Sequence, residues 1–261
     1  MVQREVDAVR PVALVTGARQ GLGRATAVRL AADGFDVVAA DIADVDDTVA
    51  AIRAAGGGAH GVRADIADVD AIGSVVTGAW AAFGRIDCLV NNAGLASRPL
   101  TDILDITPEM YDRVVAVNQR GTFFLTQEVA RRMVAAASSD HHRSIITVSS
   151  IASRMVNLER SPYHLSKAAL SMLNELFAVR LAEHGIAAYE VRPGYMRTDM
   201  TASAVPQKLD DVIRAGRVPA RRWGTPEDVA ATVSTLASGS LPFSTGQAVW
   251  VDGGLHIHRA D

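Results

Sequence analysis

Residues 12–23 read Val-Ala-Leu-Val-Thr-Gly-Ala-Arg-Gln-Gly-Leu-Gly. Val12–Val15 is a short continuous apolar run, the kind that is buried on both faces of a parallel sheet. Thr16–Gly23 holds three glycines. Leu22–Ala32 then sets Ala25, Val28, Leu30 and Ala31 against Arg24 and Arg29, which predicts a helix. Glycines between a strand and a helix let backbone amides approach a pyrophosphate. The helix adds its unpaired N–H groups and its positive dipole end. A glycine-rich turn alone serves equally as a tight connection. Its place between the first strand and the first helix is what gives it weight.

The same alternation runs outward along the chain. Further strands are predicted at Val37–Ala40, Val62–Ala64, Cys88–Val90, Ser144–Val148, Ile186–Val191 and Ala248–Val251. Helices are predicted at Asp46–Ala55, stopped by Gly56-Gly57-Gly58, and at Val69–Phe83, stopped by Gly84. Others follow at Glu109–Val117 with Pro108 in the first turn, Thr122–Ala137, Ser161–Glu183 stopped by Gly185, and Pro226–Leu236 with Thr225 as N-cap. Short strands separated by helices imply right-handed crossovers and an α/β, doubly wound parallel sheet of about seven strands with helices on both faces. No linker, repeat or shift in composition divides residues 1–261, so one domain is expected, with a small lid at about 200–219.

Hydrophobic residues make up 49% and charged residues 21%, the composition of a globular chain with a full core. The net charge of −3 gives no electrostatic reason to expect nucleic acid. The single cysteine, Cys88, excludes an internal disulfide and a thiolate zinc cluster, and fits a reducing compartment. The N-terminus has no apolar secretory core, and no run approaches the roughly 18 apolar residues of a membrane span. A cytoplasmic chain is expected. In the loop Ser138–Arg143, His141 and His142 read as solvated rather than as metal ligands, and no metal is expected.

Asp41 closes the second predicted strand. A carboxylate there accepts hydrogen bonds from an adenosine ribose and repels a 2′-phosphate, which favours NAD(H) over NADP(H). The alternative is that it merely caps the next helix. Arg19, a cation in the glycine turn, argues the other way, but no Arg or Lys follows Asp41 within ten residues. Tyr163 and Lys167 lie four apart on a predicted helix and share a face. A cation beside a phenol favours phenolate and makes the tyrosine an acid–base group for a carbonyl or an alcohol. The chain has 24 arginines and only two lysines, Lys167 and Lys208, so a lysine at this place stands out.

With these residues in view, the whole chain resembles the short-chain dehydrogenase/reductase family, in its single-domain branch with a Rossmann-type sheet. Thr16–Gly23 is similar to that family's T-G-x-x-x-G-x-G turn, and Asn91-Asn92-Ala93-Gly94 to its N-N-A-G segment. Asp65-Ile66 matches the adenine-contacting pair, and Pro193-Gly194 with Thr198 the nicotinamide segment. Arg222–Ala230 and Thr245–Gly254 fit its C-terminal pattern. The resemblance implies cofactor contacts from Gly17, Arg19, Gln20, Gly21, Leu22, Gly23, Asp41, Ile42, Asp65, Ile66, Asn92, Ala93, Gly94, Pro193, Gly194 and Thr198, and from Tyr163 and Lys167. It implies four catalytic residues: Asn118, Ser150, Tyr163 and Lys167. Ser149 is the competing assignment for Ser150. In the implied mechanism Ser150 polarises a ketone and Tyr163 gives it a proton. Lys167 binds the ribose and lowers the Tyr163 pKa, while Asn118 holds a water relay.

Within the family the pattern is most similar to the 3-oxoacyl-[acyl-carrier-protein] reductases. His184, preceded by Glu183, stands where a basic carrier-docking residue is common; Arg131 and Arg132 offer another patch. A polyol or sugar dehydrogenase fits as the alternative, and a non-catalytic NAD(H)-binding regulator as a remote one. Substrate contacts are expected from Leu95, Ala152, Met155, Val156, Asn157 and Tyr195. Apolar lid residues Ala202, Val205, Leu209, Val212 and Ile213 either meet the substrate or pack the lid onto the body. The 161–183 helix is apolar over more than one stripe, at Ala168, Ala169, Leu170, Met172, Leu173, Leu176 and Phe177, which predicts a homotetramer.

Overall fold

The computed structural model describes residues 9–136, 140–198 and 206–258. Seven strands form one parallel sheet: β1 Val12–Thr16, β2 Asp36–Asp41, β3 Ala59–Arg63, β4 Cys88–Asn91, β5 Arg143–Val148, β6 Ile186–Pro193 and β7 Gln247–Val251. Their order is β3-β2-β1-β4-β5-β6-β7. The helices are α1 Gly21–Ala32, α2 Asp46–Ala54, α3 Ile72–Phe83, α4 Pro108–Val115, α5 Thr122–Ala135, α6 Ser161–Leu181, α7 Pro206–Arg214 and α8 Pro226–Ala237.

Successive strand residues point to opposite faces. Ala13 and Val15 pack with Leu30, Val49, Ile52 and Val233, beneath α1, α2 and α8. Val12 and Leu14 pack with Val76, Leu125, Val129 and Met133, beneath α3 and α5. Burial on both sides explains why these strands are continuous apolar runs. β2 and β4 flank β1, so the chain winds away from β1 in both directions. That reversal opens a crevice at the carboxyl ends of β1 and β4, the place where such sheets bind ligands.

Several predicted boundaries move. β3 is Ala59–Arg63 rather than Val62–Ala64, because an edge strand leaves His60, Gly61 and Arg63 exposed and carries no apolar run. α3 starts at Ile72 rather than Val69, because the Asp68 carboxylate turns the chain by accepting from the Asp70 and Ala71 amides. α6 ends at Leu181, its last turn tightening into a 3₁₀ turn at Ala182–His184 before Gly185 at φ +65°. Between α4 and α5, Ala116–Gly121 is a π-helical turn. Thr225 caps α8 as predicted, in a capping box with Asp228.

α7 falls within the predicted lid, whose Ala202 and Val205 lie outside the described residues. Ile213 is buried, and Asp210 accepts a 2.6 Å bond from the Trp223 indole, so this part of the lid packs onto the body. His142 is not solvated: it is half-buried against Gly239, and burial lowers its pKa. Among the described residues no helix is long and apolar enough to cross a membrane, and no cluster of His, Cys, Asp and Glu suits a metal.

Candidate active site

The glycine turn is shaped by Asn92 at the end of β4. Its side-chain amide donates to Thr16 O at 2.9 Å and Gly17 O at 3.1 Å. The Thr16 hydroxyl accepts from the Asn92 and Ala93 amides, both at 3.1 Å. Packing is tight enough to require glycine twice. A Cβ on Gly17 would lie 2.8 Å from Ala93 Cα, and one on Gly23 would lie 2.1 Å from Gly17 O. α1 begins at Gly21 with no side-chain cap and no acidic residue in its first turn. Its leading N–H groups and positive end are left for an anion.

Two adjoining cavities flank this turn. One, about 220 Å³, is lined by Gly17, Gln20, Gly21, Leu22, Asp41, Asn92, Ala93, Gly94, Ser149, Tyr163, Lys167 and Thr198. The other, about 580 Å³, adds Ile42, Asp65, Ile66 and Leu95. Gly17, Gln20, Asp41, Ala93 and Gly94 line both. Together they form one trough of the size that takes a small-molecule ligand.

Asp41 sits where the two cavities meet. Its carboxylate accepts from Arg19 N at 3.1 Å and from Ala43 N at 3.0 Å. It does not cap α2, whose N-cap is Val45 without a side-chain bond. Each carboxylate oxygen keeps acceptor capacity for a further donor. Arg19 is exposed, outside the cavity linings. The fold brings up a second cation that spacing along the chain does not reveal. Arg63 is opposite Asp41 in the β2–β3 register and donates to Ile42 O at 3.1 Å. Asp65 accepts from Ala67 N, and Ile66 is buried.

At the other end, α6 places Tyr163 and Lys167 one turn apart, with the Lys167 Nζ 5.7 Å from the Tyr163 ring centre. Nζ donates to Val148 O at 2.9 Å. The Tyr163 and Ser150 side chains lie beside each other. Ser150 also accepts from Ala152 N at 3.1 Å. The competing Ser149 hydroxyl turns away and donates to Glu190. Geometry therefore pairs Ser150, not Ser149, with Tyr163. Burial raises the Tyr163 pKa above its ordinary value, outweighing the Ser150 hydroxyl and the Arg160 charge, which lower it. The expected lowering by Lys167 is thus reversed: desolvation disfavours phenolate more than the local charges favour it. Burial also pushes Lys167 down to about 8, against the Glu190 charge, which raises it.

Asn118 lies in the π-helical turn and is fully buried. Its Oδ1 accepts from Leu95 N at 2.7 Å, and its Nδ2 donates to Leu95 O at 2.9 Å and Ser166 Oγ at 3.0 Å. It ties the loop after β4 to α6. The turn itself needs Gly121, where a Cβ would lie 2.2 Å from Ile66 O. Gly194 is equally constrained, since a Cβ there would lie 2.7 Å from Asp252.

The expected substrate residues are not all brought together. Leu95 lines the larger trough cavity, and Ala152 is buried beside Ser150. Met155 and Val156 line a separate cleft of about 720 Å³ between the end of α7 and residues 255–258. Although larger, that cleft holds neither Tyr163 nor Lys167, which line the trough. Tyr195 lines yet another cavity, with Met196 and Arg222. Asn157 accepts from Glu159 N and caps a 3₁₀ turn. Sequence reasoning passes over Glu190 and Arg192. Their signal is two charges inside an otherwise apolar strand.

The trough suits a dinucleotide: a glycine cradle that a Cβ would fill, free helix amides, a carboxylate at one end and an ammonium with a phenol at the other. Comparison with known proteins agrees. A family model described as enoyl-(acyl carrier protein) reductase matches residues 17–256. The structure of a 3-oxoacyl-[acyl-carrier protein] reductase from Brucella melitensis in complex with NAD superposes with a TM-score of 0.94 at 45% identity, over 96% of this chain and 98% of that one. A (3R)-3-hydroxyacyl-CoA dehydrogenase of Mus musculus is 38% identical over 94% of this chain and 96% of its own. A 2-dehydro-3-deoxy-D-gluconate 5-dehydrogenase of Dickeya dadantii is 33% identical over 93% and 94%. By turn, trough and full-length likeness alike, the chain belongs to the short-chain dehydrogenase/reductase family of NAD(P)-dependent oxidoreductases.

Proposed function

We propose that this enzyme interconverts a ketone and a secondary alcohol, with Ser150, Tyr163 and Lys167 as its catalytic residues and NAD(H) as its preferred cofactor. The observation that carries the reading is the Tyr163–Lys167 pair, one helical turn apart and both lining the trough, with the Ser150 side chain beside the phenol. The bound nicotinamide supplies or accepts the hydride at the carbonyl carbon. Ser150 donates a hydrogen bond to the carbonyl oxygen, and Tyr163 gives that oxygen its proton as charge develops. A phenol held above its ordinary pKa is fully protonated at neutral pH, as a proton donor must be. Lys167 binds the nicotinamide ribose and keeps a positive charge beside the phenol. Asn118 holds the loop and helix that carry these groups, on the path by which water returns the proton.

Gly17, Gln20, Gly21, Leu22 and Gly23 would hold the pyrophosphate, with Arg19 at the exposed edge of the turn. Asp41 and Ile42 would hold the adenosine ribose, and Asp65 with Ile66 the adenine. Asn92, Ala93 and Gly94 line the middle, and Pro193, Gly194 and Thr198 would meet the nicotinamide end. NAD(H) is favoured because the Asp41 carboxylate lies in the trough while Arg63 is engaged with Ile42 O.

The substrate class is 3-oxoacyl, as in the reductase and the hydroxyacyl-CoA dehydrogenase to which the chain is similar. A sugar or polyol substrate is the second reading, favoured by the sugar-acid dehydrogenase relative. The chain forms one domain and acts in the cytoplasm as a homotetramer. Supporting the tetramer, Phe123, Phe124, Leu165, Met172, Leu176 and Val179 form exposed apolar surface on α5 and α6; a monomer in sedimentation would refute it.

Binding of NADH and NADPH, read by energy transfer from the three tryptophans, tests the cofactor assignment in the wild type and Asp41→Ala. Tighter NADH binding, with discrimination lost in the variant, supports it. Preference for NADPH in the wild type sinks it.

A further inference from the structure

Beneath the site lies a charged cluster that the chemistry above does not use. Glu190 and Arg192 are two residues apart on β6, on one face of the sheet, and are 1% and 6% exposed. The guanidinium donates twice to the carboxylate, each bond 2.8 Å. A buried ion pair gives little net stability over apolar residues of the same volume. Its place in this strand calls for another reason.

The remaining contacts of the pair supply one. Glu190 Oε1 accepts from the Ser149 hydroxyl and, at 3.0 Å, from the Ser171 hydroxyl. Ser149 sits between Val148, whose carbonyl holds Lys167, and Ser150, whose side chain lies beside Tyr163. Ser171 lies four residues beyond Lys167, which lies four beyond Tyr163, so all three share one face of α6. The charged and titratable groups around Lys167 are Tyr163 and His164 on its own helix and Arg160 at that helix's start. Asp41 lies across the trough, and Glu190 and Arg192 lie below. Burial drives Lys167 toward the neutral amine, and it is the Glu190 charge that acts against this.

We infer that Glu190 is a positioning residue for the proposed reaction: it fixes Ser149 between the anchors of Lys167 and Tyr163, and sets a carboxylate charge in the cluster beneath Lys167. Arg192 partners Glu190 and extends the cluster to the sheet edge, where its guanidinium lies 4.7 Å from the Trp250 ring centre. The inference rests on the role given to Lys167 above.

The chain has only two lysines, so full-length protein with carbon-13-labelled lysine in a Lys208→Arg background gives one lysine signal to follow with pH. Glu190→Gln lowers the Lys167 midpoint by about one pH unit or more. Arg192→Met, which leaves the carboxylate charged, does not lower it. Because Glu190→Gln strands a buried guanidinium, the double variant Glu190→Gln/Arg192→Met keeps a folded protein available. It too lowers the midpoint.

In the NADH-linked reduction of ethyl 3-oxobutanoate, the alkaline limb of kcat moves to lower pH with Glu190→Gln. A purely structural role lowers kcat and leaves the limb in place. An unmoved Lys167 midpoint in the folded single or double charge variant overturns the inference, as does a midpoint lowered by Arg192→Met alone. The lysine titration needs neither cofactor nor substrate. A wild type inert toward every ketone therefore refutes the proposed function separately, while the titration still decides the role of Glu190.

Discussion

Replacing Asn118 with alanine removes a single buried amide that holds three groups. Leu95 N loses its acceptor at 2.7 Å, and Leu95 O loses its donor at 2.9 Å. Ser166 loses one incoming bond, but its hydroxyl still donates to Tyr163 O at 2.8 Å, so it stays satisfied. An unsatisfied buried backbone group costs about 1–3 kcal/mol. Leu95 is half-buried, which puts each of its two groups at the low end and the total at about 2–3 kcal/mol. For a chain of this size each kcal/mol lowers Tm by about 2–4 °C. The expected fall is about 4–12 °C. Function suffers beyond stability, because the released loop includes Gly94, where a Cβ would lie 3.5 Å from Lys167 Nζ. A displacement of about 1 Å at such a place costs about 10²-fold in rate. Calorimetry and NADH-linked turnover at a temperature well below both transitions separate the two effects. An alanine variant that melts within about 1 °C of wild type and turns over at full rate refutes the reasoning.

Gly23→Ala puts a Cβ 2.1 Å from Gly17 O and 2.5 Å from the Asn92 amide nitrogen, so the cradle must open. Overpacking of this kind costs about 1–3 kcal/mol. NADH affinity, read by tryptophan energy transfer, should fall by about tenfold or more; unchanged affinity would count against the cradle. The Lys167 pKa of about 8, below the ordinary 10.5, makes stability depend on pH. The folded chain binds fewer protons there than the unfolded chain, so stability rises with pH between the two values. Relative to Lys167→Met, the wild type should gain about 2 kcal/mol from pH 8 to pH 10 in urea unfolding. Parallel pH profiles for the two proteins would mean that Lys167 is not buried as described.

Much of this architecture is legible in the sequence for one physical reason. Strands covered on both faces, such as Val12–Thr16 and Cys88–Asn91, are apolar except at their last residue, so they announce themselves. β3 does not, because an edge strand tolerates His60 and Arg63. The glycine turn is legible because Gly17 and Gly23 answer to backbone clashes that no other residue survives. Outside such constraints the reading fails. Tyr195 lines a cavity with Met196 and Arg222, Asn157 caps a 3₁₀ turn, and the opposition of Arg63 to Asp41 depends on sheet register. The Tyr163 pKa moves the other way because burial, which spacing along a helix does not report, outweighs the neighbouring charges. Glu190 and Arg192 look like surface charges until the sheet closes over them.

The central claim is hydride exchange between a nicotinamide cofactor and a carbonyl carbon, with the proton supplied by Tyr163. Its most direct test follows the absorbance of NADH with a panel of 3-oxoacyl esters and ketosugars, for wild type and Tyr163→Phe side by side. The account predicts turnover of at least one ketone by the wild type. The phenylalanine variant should lose about 10²–10⁴-fold in kcat while binding NADH as before. A variant that turns over as fast as the wild type, with NADH bound equally well, would contradict it.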